Sequence, residues 1–155
     1  DIATGYHGFY RPDDKITRAE LVKILVKAFG ITGSQENIFT DVTASDWYYD
    51  YVSIAAAKNL VTGYENKFFP NENVTRQDAI VMIYRFADFS GYNLHSKEIS
   101  FSDNQDISDY ALTAIKASLG SEIISGYEDH TIRPKNNLTR AETAKIIFSS
   151  LKIGG

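Results

Sequence analysis

Three stretches of the chain share one rhythm: a polar Thr-Arg start, then apolar residues at helical spacing. Thr17 is followed by Leu21, Val22, Ile24, Leu25, Val26 and Phe29; Thr75 by Ile80, Val81, Ile83 and Phe86; Thr139 by Ile146, Ile147, Phe148 and Leu151. That spacing predicts three amphipathic helices. Their starts carry a mechanism. Thr17-x-x-Glu20 and Thr139-x-x-Glu142 are capping boxes, and Thr75-x-x-Asp78 is a shortened version. In each, threonine accepts from a backbone N–H while the acid reaches back to the threonine N–H. Gly30 and Gly91 fall just past helix ends, where C-terminal glycines belong. Two further helices are predicted ahead of the second and third of these. One opens at Ser45 and runs to about Asn59; the other opens at Ser108 and runs from Tyr110 to about Leu119.

These elements are copies. Gly5-Tyr6, Gly63-Tyr64 and Gly126-Tyr127 each precede a proline and then a Thr-Arg pair. The chain has 3 prolines (Pro12, Pro70 and Pro134), and each stands six residues before Arg18, Arg76 or Arg140. Phe39-Thr40-Asp41 recurs as Phe101-Ser102-Asp103, with Ser45/Ser108 and Trp47/Tyr110 following in step. Two single-residue insertions account for the drift in spacing and belong in loops. Each full repeat therefore reads helix, turn, loop, helix, with the glycine of the Gly-Tyr pair taking positive φ. The expected fold is all-α and pseudo-threefold, its central three-helix core built from the Thr-Arg helices. The count is uneven, with three Thr-Arg helices against two aromatic ones. Either the chain begins inside the first repeat or a sixth helix lies beyond Gly155, and the groove it would complete is expected to be open or absent.

Composition narrows the chemistry. The 155 residues are 43% hydrophobic and 23% charged, an ordinary globular balance. A net charge of −4 argues against a dedicated nucleic-acid partner while leaving room for a local cationic pocket. No apolar run approaches a membrane span. The absence of cysteine removes thiol catalysis, thiolate metal sites and disulfide scaffolds together. His7, His95 and His130 lack metal-ligand spacing, and Asp103–Asp106 is a poor calcium loop because Ala114 stands where a glutamate is needed. No nucleophile elbow or phosphate loop occurs, so neither a metal, a cofactor nor an enzyme activity is expected.

The combined spacing of Phe-x-Asp, a later aromatic, Gly-Tyr, Pro and Ile-Thr-Arg-Ala-Glu resembles the S-layer homology motif across nearly the whole chain. The resemblance implies one domain over 1–155, with a partial first motif (1–33), a second (34–95) and a third (96–155). It implies a three-pronged spindle with ligand grooves between prongs. It also implies the role of an extracellular, non-covalent anchor, holding secreted proteins on the bacterial cell wall through a polysaccharide that carries ketal-linked pyruvate. The family's ligand arginine falls on Arg18, Arg76 and Arg140. Two copies depart from the pattern: Gln77 and Asp78 replace Ala and Glu in the second, and Tyr110 replaces Trp, and Thr131-Ile132 the usual aromatic, in the third.

Several residues have a chemical reason to line such grooves. Arginine at a helix start sits beside unpaired backbone N–H groups and the positive dipole end, which favours an anion. Its guanidinium also matches a carboxylate bidentately. Trp47 and Tyr110 offer aromatic faces to a sugar ring, Asp41 and Asp103 offer acceptors for hydroxyls, and Gly5, Gly63 and Gly126 admit close backbone approach. Each also has a local reading: packing for the aromatics, turn bonding for the aspartates, turn formation for the glycines. Tyr6, Tyr64 and Tyr127 suit packing and groove lining equally. The competing functions are a glycosidase, which needs a paired acid and base in one cleft, and a helical scaffold for protein partners.

Overall fold

Each Thr-Arg pair opens a helix. In the computed structural model, which describes residues 11–33 and 36–154, these are α1 (Arg18–Ala28), α3 (Arg76–Phe89) and α5 (Arg140–Leu151). Between them lie α2 (Tyr49–Ala57) and α4 (Leu112–Gly120), the latter preceded by short 3-10 turns at Asn104–Asp106 and Asp109–Ala111. Among the described residues there are no strands, only isolated β-bridges. No described helix is long and apolar enough to cross a membrane.

The caps follow the sequence closely. Thr17 and Thr139 make complete capping boxes. Thr75 accepts from the Asp78 N–H, but the shorter Asp78 side chain does not close the box: its carboxylate takes the Thr75 hydroxyl at 2.6 Å instead. The expected reach of Asp78 to the Thr75 N–H is thereby corrected. At the other end, Gly30 and Gly91 have φ of 63° and 78°. Ile31 N–H returns to Val26 O and Tyr92 N–H to Ala87 O, which satisfies helix-end carbonyls.

The two aromatic helices start later than Ser45 and Ser108 suggest. Tyr48, without a side-chain cap, precedes α2, and Ser45 bonds Thr43 instead. Ser108 flanks only a 3-10 turn and supplies no side-chain cap; its hydroxyl accepts from Gln77 and Lys135. The tight turns that seat Trp47 and Tyr110 consume the first residues expected to be helical.

Packing does not respect the sequence repeat. Helix α2 packs on α1 and α4 packs on α3, so an aromatic helix lies against the Thr-Arg helix of the preceding copy. Helices α1, α3 and α5 also touch one another pairwise. Leu21, Val22, Leu25, Ile80, Ile83 and Phe86 are almost wholly buried in the resulting core, with Ile146 and Ile147 beside them. Burying such side chains contributes about 1.5–3 kcal/mol each before entropy is charged against it.

The loops before the Thr-Arg helices interlock. Ile16 N–H donates to Leu138 O, Leu138 N–H to Val74 O and Val74 N–H to Ile16 O, closing a ring of three hydrogen bonds. Outside this ring, each loop caps a helix of another copy. Pro70 O and Glu72 O accept from Ala19 and Arg18 N–H, Pro134 O and Asn136 O from Gln77 and Arg76 N–H, and Pro12 O and Asp14 O from Ala141 and Arg140 N–H. The first-turn N–H groups that an isolated helix leaves open are therefore taken. This corrects the expectation that each arginine stands beside unpaired amides: the ligand chemistry rests on the guanidinium, not on a bare helix terminus.

Candidate functional site

The loops that do this capping are themselves strained and pinned. Arg11, Phe69 and Arg133, each just before a proline, have φ of 46°, 59° and 53°. Such a conformation costs of order 1–3 kcal/mol unless the surroundings fix it. Asp41 fixes the second copy, accepting from Phe68 N–H at 2.7 Å and Phe69 N–H at 2.8 Å. Asp103 fixes the third, accepting from Ile132 and Arg133 N–H at 2.9 and 2.7 Å. Both oxygens of each carboxylate are thus engaged by backbone.

Gly63 and Gly126 serve close packing, not positive φ, which neither adopts. A Cβ on Gly126 would stand 2.1 Å from Phe101 Cε1, and one on Gly63 would stand 2.0 Å from Lys67 O and 2.7 Å from Phe39 Cε1. The phenylalanine of each Phe-x-Asp element occupies the space. Tyr64 follows in a turn closed by bonds with Lys67, and Tyr127 in one closed on Thr131, one residue longer, which accounts for one of the two insertions. Gly5 and Tyr6 lie outside the described residues.

The three arginines stand in three different settings. Arg18 donates from Nε to Phe68 O and from an Nη to Thr62 O, each at 2.8 Å, with its guanidinium 4.7 Å above the Phe68 ring. Burial lowers its pKa, opposed by Asp78, Glu72 and Asp41. Arg85, which the sequence did not single out, reaches the Thr62 hydroxyl at 3.4 Å. Arg140 is paired with Glu20 at 3.0 Å and its side chain is 13% exposed.

Arg76 is 6% exposed. One Nη donates to Ser125 O at 2.9 Å, and the guanidinium lies 4.9 Å from the Tyr127 ring centroid. Its Nε is buried with no hydrogen-bond partner among the described residues. Arg76 lines a groove of about 570 Å³, together with Gly126, Tyr127, the cations Lys97 and Lys145 and the carboxylates Glu122 and Glu142. Tyr127 donates to Glu142 at 2.7 Å. Burial and that bond raise the Tyr127 pKa, against the opposing charges of Arg76 and Arg133. Burial opposes the Glu142 charge, but hydrogen bonds from Thr139 and Tyr127 and the charge of Arg76 outweigh it and lower its pKa.

The aromatics diverge. Trp47 is 55% exposed, edge-on to Tyr48, with Lys23 Nζ 5.2 Å from its ring. Tyr110 is 60% exposed as a residue, but its hydroxyl is bonded on both sides: it donates to Asp78 at 2.6 Å and accepts from Gln77 at 2.7 Å. Burial of the hydroxyl and the Asp78 bond push its pKa up to about 12. Gln77 also bonds the Ser108 N–H and hydroxyl. The two departures from the repeat, Gln77-Asp78 in one copy and Tyr110 in the next, therefore meet as one network. The sequence marked each as an anomaly; only the packing of α4 on α3 joins them. Lys97 and Lys145 carried no sequence signal: Lys97 lies between the repeated elements, and Lys145 sits in a Thr-Arg helix where the second copy has Val81.

The S-layer homology domain family model matches residues 38–80 and 100–144, together more than half of the chain. An endoglucanase of Bacillus sp. (strain KSM-635) is 30% identical over 146 residues, covering 92% of this chain and 15% of that protein. A cellulosome-anchoring protein of Acetivibrio thermocellus is 28% identical over 153 residues, covering 95% and 34%. The middle cell wall protein of Brevibacillus brevis is 35% identical over 91 residues, covering 54% and 9%. The chain thus spans about a third or less of the length of these relatives, and with the family model matching more than half of its residues, the chain belongs to the S-layer homology domain family.

Proposed function

We propose that the chain is a pseudo-threefold S-layer homology trimer, with α1, α3 and α5 as the central bundle and helix-loop prongs around it. It acts outside the cell as a non-covalent anchor to the bacterial wall. The family match supports the anchoring role, as do relatives named as a cellulosome-anchoring protein, a cell wall protein and surface layer proteins. On this reading the module binds and does not catalyse, and any enzyme joined to it is cargo. The ligand is an acidic wall polysaccharide bearing pyruvate ketals, held in grooves between motifs.

The observation that carries the reading is the setting of Arg76. A guanidinium taken out of water is costly unless an anion meets it. Arg76 has one carbonyl partner and an unmet Nε beside a groove that also holds Lys97 and Lys145. Glu142 is near, but its oxygens are taken by Thr139 N–H and Tyr127 OH. A ketal carboxylate entering the groove meets three cations against two carboxylates, Glu122 and the already bonded Glu142, with the Tyr127 ring as a wall. Arg18 and Arg140 are already committed, to carbonyls and to Glu20 respectively. The Arg76 groove is therefore the main anionic site, and the other two grooves contribute weaker contacts.

The test is calorimetric titration with purified wall polysaccharide, native or stripped of its ketals by mild acid. Loss of one charge-assisted bond costs about 1.5–3 kcal/mol, so Arg76→Ala should weaken binding roughly 10–150-fold. Native polymer binding that ignores both the ketal and Arg76→Ala would overturn the proposal and direct attention to protein partners.

A further inference from the structure

A second cavity of about 490 Å³ adjoins the Arg76 groove. Tyr127 and Glu142 line both, so their hydrogen-bonded pair is the partition between them. The second cavity adds Lys15, Arg133, Lys135 and Asn136. Arg133 stacks on Tyr127 with its guanidinium 4.0 Å from the ring centroid, and pairs with Asp129 at 2.8 Å. Lys15 Nζ donates to the Asn137 carbonyl at 3.0 Å, and Lys135 Nζ to the Ser108 hydroxyl. Among the described residues no carboxylate pairs with either ammonium.

The repeat supplies an internal control. The positions equivalent to Lys15, Arg133, Lys135 and Asn136, one motif back, are Asn137, Phe69, Asn71 and Glu72. None of these four positions carries a cation, and Asp78 stands in place of Glu142. In the first copy the loop reads Arg11, Asp13 and Asp14, with Asn73 opposite, so its charges do not add. Two substitutions away from the repeat pattern, Lys15 and Lys135, join Arg133, whose counterpart in the first copy is Arg11, at one corner of a chain whose net charge is −4. Folding has no need of the two lysines there, since the other copies close the same loop with neither.

We infer that this corner is a second anionic subsite, which takes another acidic group (carboxylate or phosphate) of the glycan whose first acidic group occupies the Arg76 groove. The inference rests on the reading that the Arg76 groove holds an acidic sugar. One polymer chain crosses the Tyr127–Glu142 partition, with Tyr127 as the common wall. The second contact is then intramolecular, so it adds avidity for polymer without changing affinity for a single sugar.

Lys15→Asn/Lys135→Asn, which installs the residues that the second copy uses, would be titrated with a pyruvate-ketal monosaccharide and with native polysaccharide. Lys15→Arg/Lys135→Arg serves as a charge-retaining control. The monosaccharide should bind all three proteins within about twofold. The polymer should bind the asparagine variant about tenfold more weakly, with a shallower salt dependence, while the arginine variant keeps its affinity. On ketal-stripped polymer, a residual advantage of the unsubstituted protein identifies the second group as an acid-stable anion, phosphate if phosphatase treatment removes the advantage, and its loss identifies a second ketal carboxylate. Polymer affinity unchanged in the asparagine variant, or reduced in step with that for monosaccharide, overturns the subsite alone. If the unsubstituted protein binds neither acidic ligand, the Arg76 reading falls and the subsite falls with it.

Discussion

Replacing Asp41 with alanine should unfold the second loop before it affects anything else. The side chain is the acceptor for two adjacent amides at 2.7 and 2.8 Å. Hydrogen bonds to a charged acceptor contribute about 1.5–3 kcal/mol each, although neighbours on one group do not add fully. Phe69 at φ 59° is held against a strain of order 1–3 kcal/mol. The same loop presents Pro70 O and Glu72 O to the first turn of α1, so loosening it also uncaps a helix of another motif. Together these give a loss of about 3–5 kcal/mol. For a domain of this size 1 kcal/mol moves Tm by about 2–4 °C, so the melting temperature should fall by roughly 6–20 °C. Differential scanning calorimetry on the unliganded protein reads this directly, and Asp103→Ala should match it through Ile132 and Arg133. A fall of less than about 2 °C, with glycan binding lost, would refute the reasoning and return Asp41 to the role of a ligand contact.

Gly126→Ala should cost more than about 2 kcal/mol, because the new methyl lands on Phe101, whereas Gly30→Ala, with open space around its Cβ but φ of 63°, should cost about 1; thermal melts separate the two. Gln77→Ala removes three part-buried hydrogen bonds to Ser108 and Tyr110 and should cost about 0.5–1.5 kcal/mol by denaturant titration, since both partners keep another bond or reach water. Tyr110 in the native protein keeps its proton to about pH 12, above the unfolded tyrosine value of about 10. Its contribution to stability is therefore complete below pH 10 and is lost as the pH rises towards 12. Tyr110→Phe should remove that part of the alkaline loss in melts run across this range, along with one high-pH phenolate from the ultraviolet titration.

The grooves differ because the same backbone frame carries different charge. Each Thr-Arg arginine faces the first-turn acid of another helix. Arg140 closes that distance as an ion pair with Glu20, Arg18 feels Asp78 while bonding carbonyls, and Glu142 is turned away from Arg76 by Tyr127. A one-methylene change at residue 78 and a tyrosine at residue 110 are enough to lock one interface through Gln77.

Local chemistry was legible along the chain. Thr17, Thr75 and Thr139 cap helices because the threonine, the acid three residues on and the apolar run are all contiguous, so no distant contact is needed to form them. Gly30 and Gly91 end helices for the same reason. The repeat itself was visible as spacing, and with it the membership of the arginines in one class. What spacing could not carry was anything that one motif does to another. The start of α2 slipped from Ser45 because Asp46 ties a local turn to Thr43, and that of α4 slipped from Ser108 because Gln77 of another motif holds Ser108 and Tyr110. The first-turn amides are filled by carbonyls about 50 residues or more away, Pro70 O onto Ala19 N–H among them, so the helix termini that looked open are closed. Lys97, Lys145 and Lys135 joined the candidate site only once folding brought them to Tyr127. A cap is decided by residues within one helical turn, whereas a groove is the space left between elements, and its charge is fixed only when the chain has closed on itself.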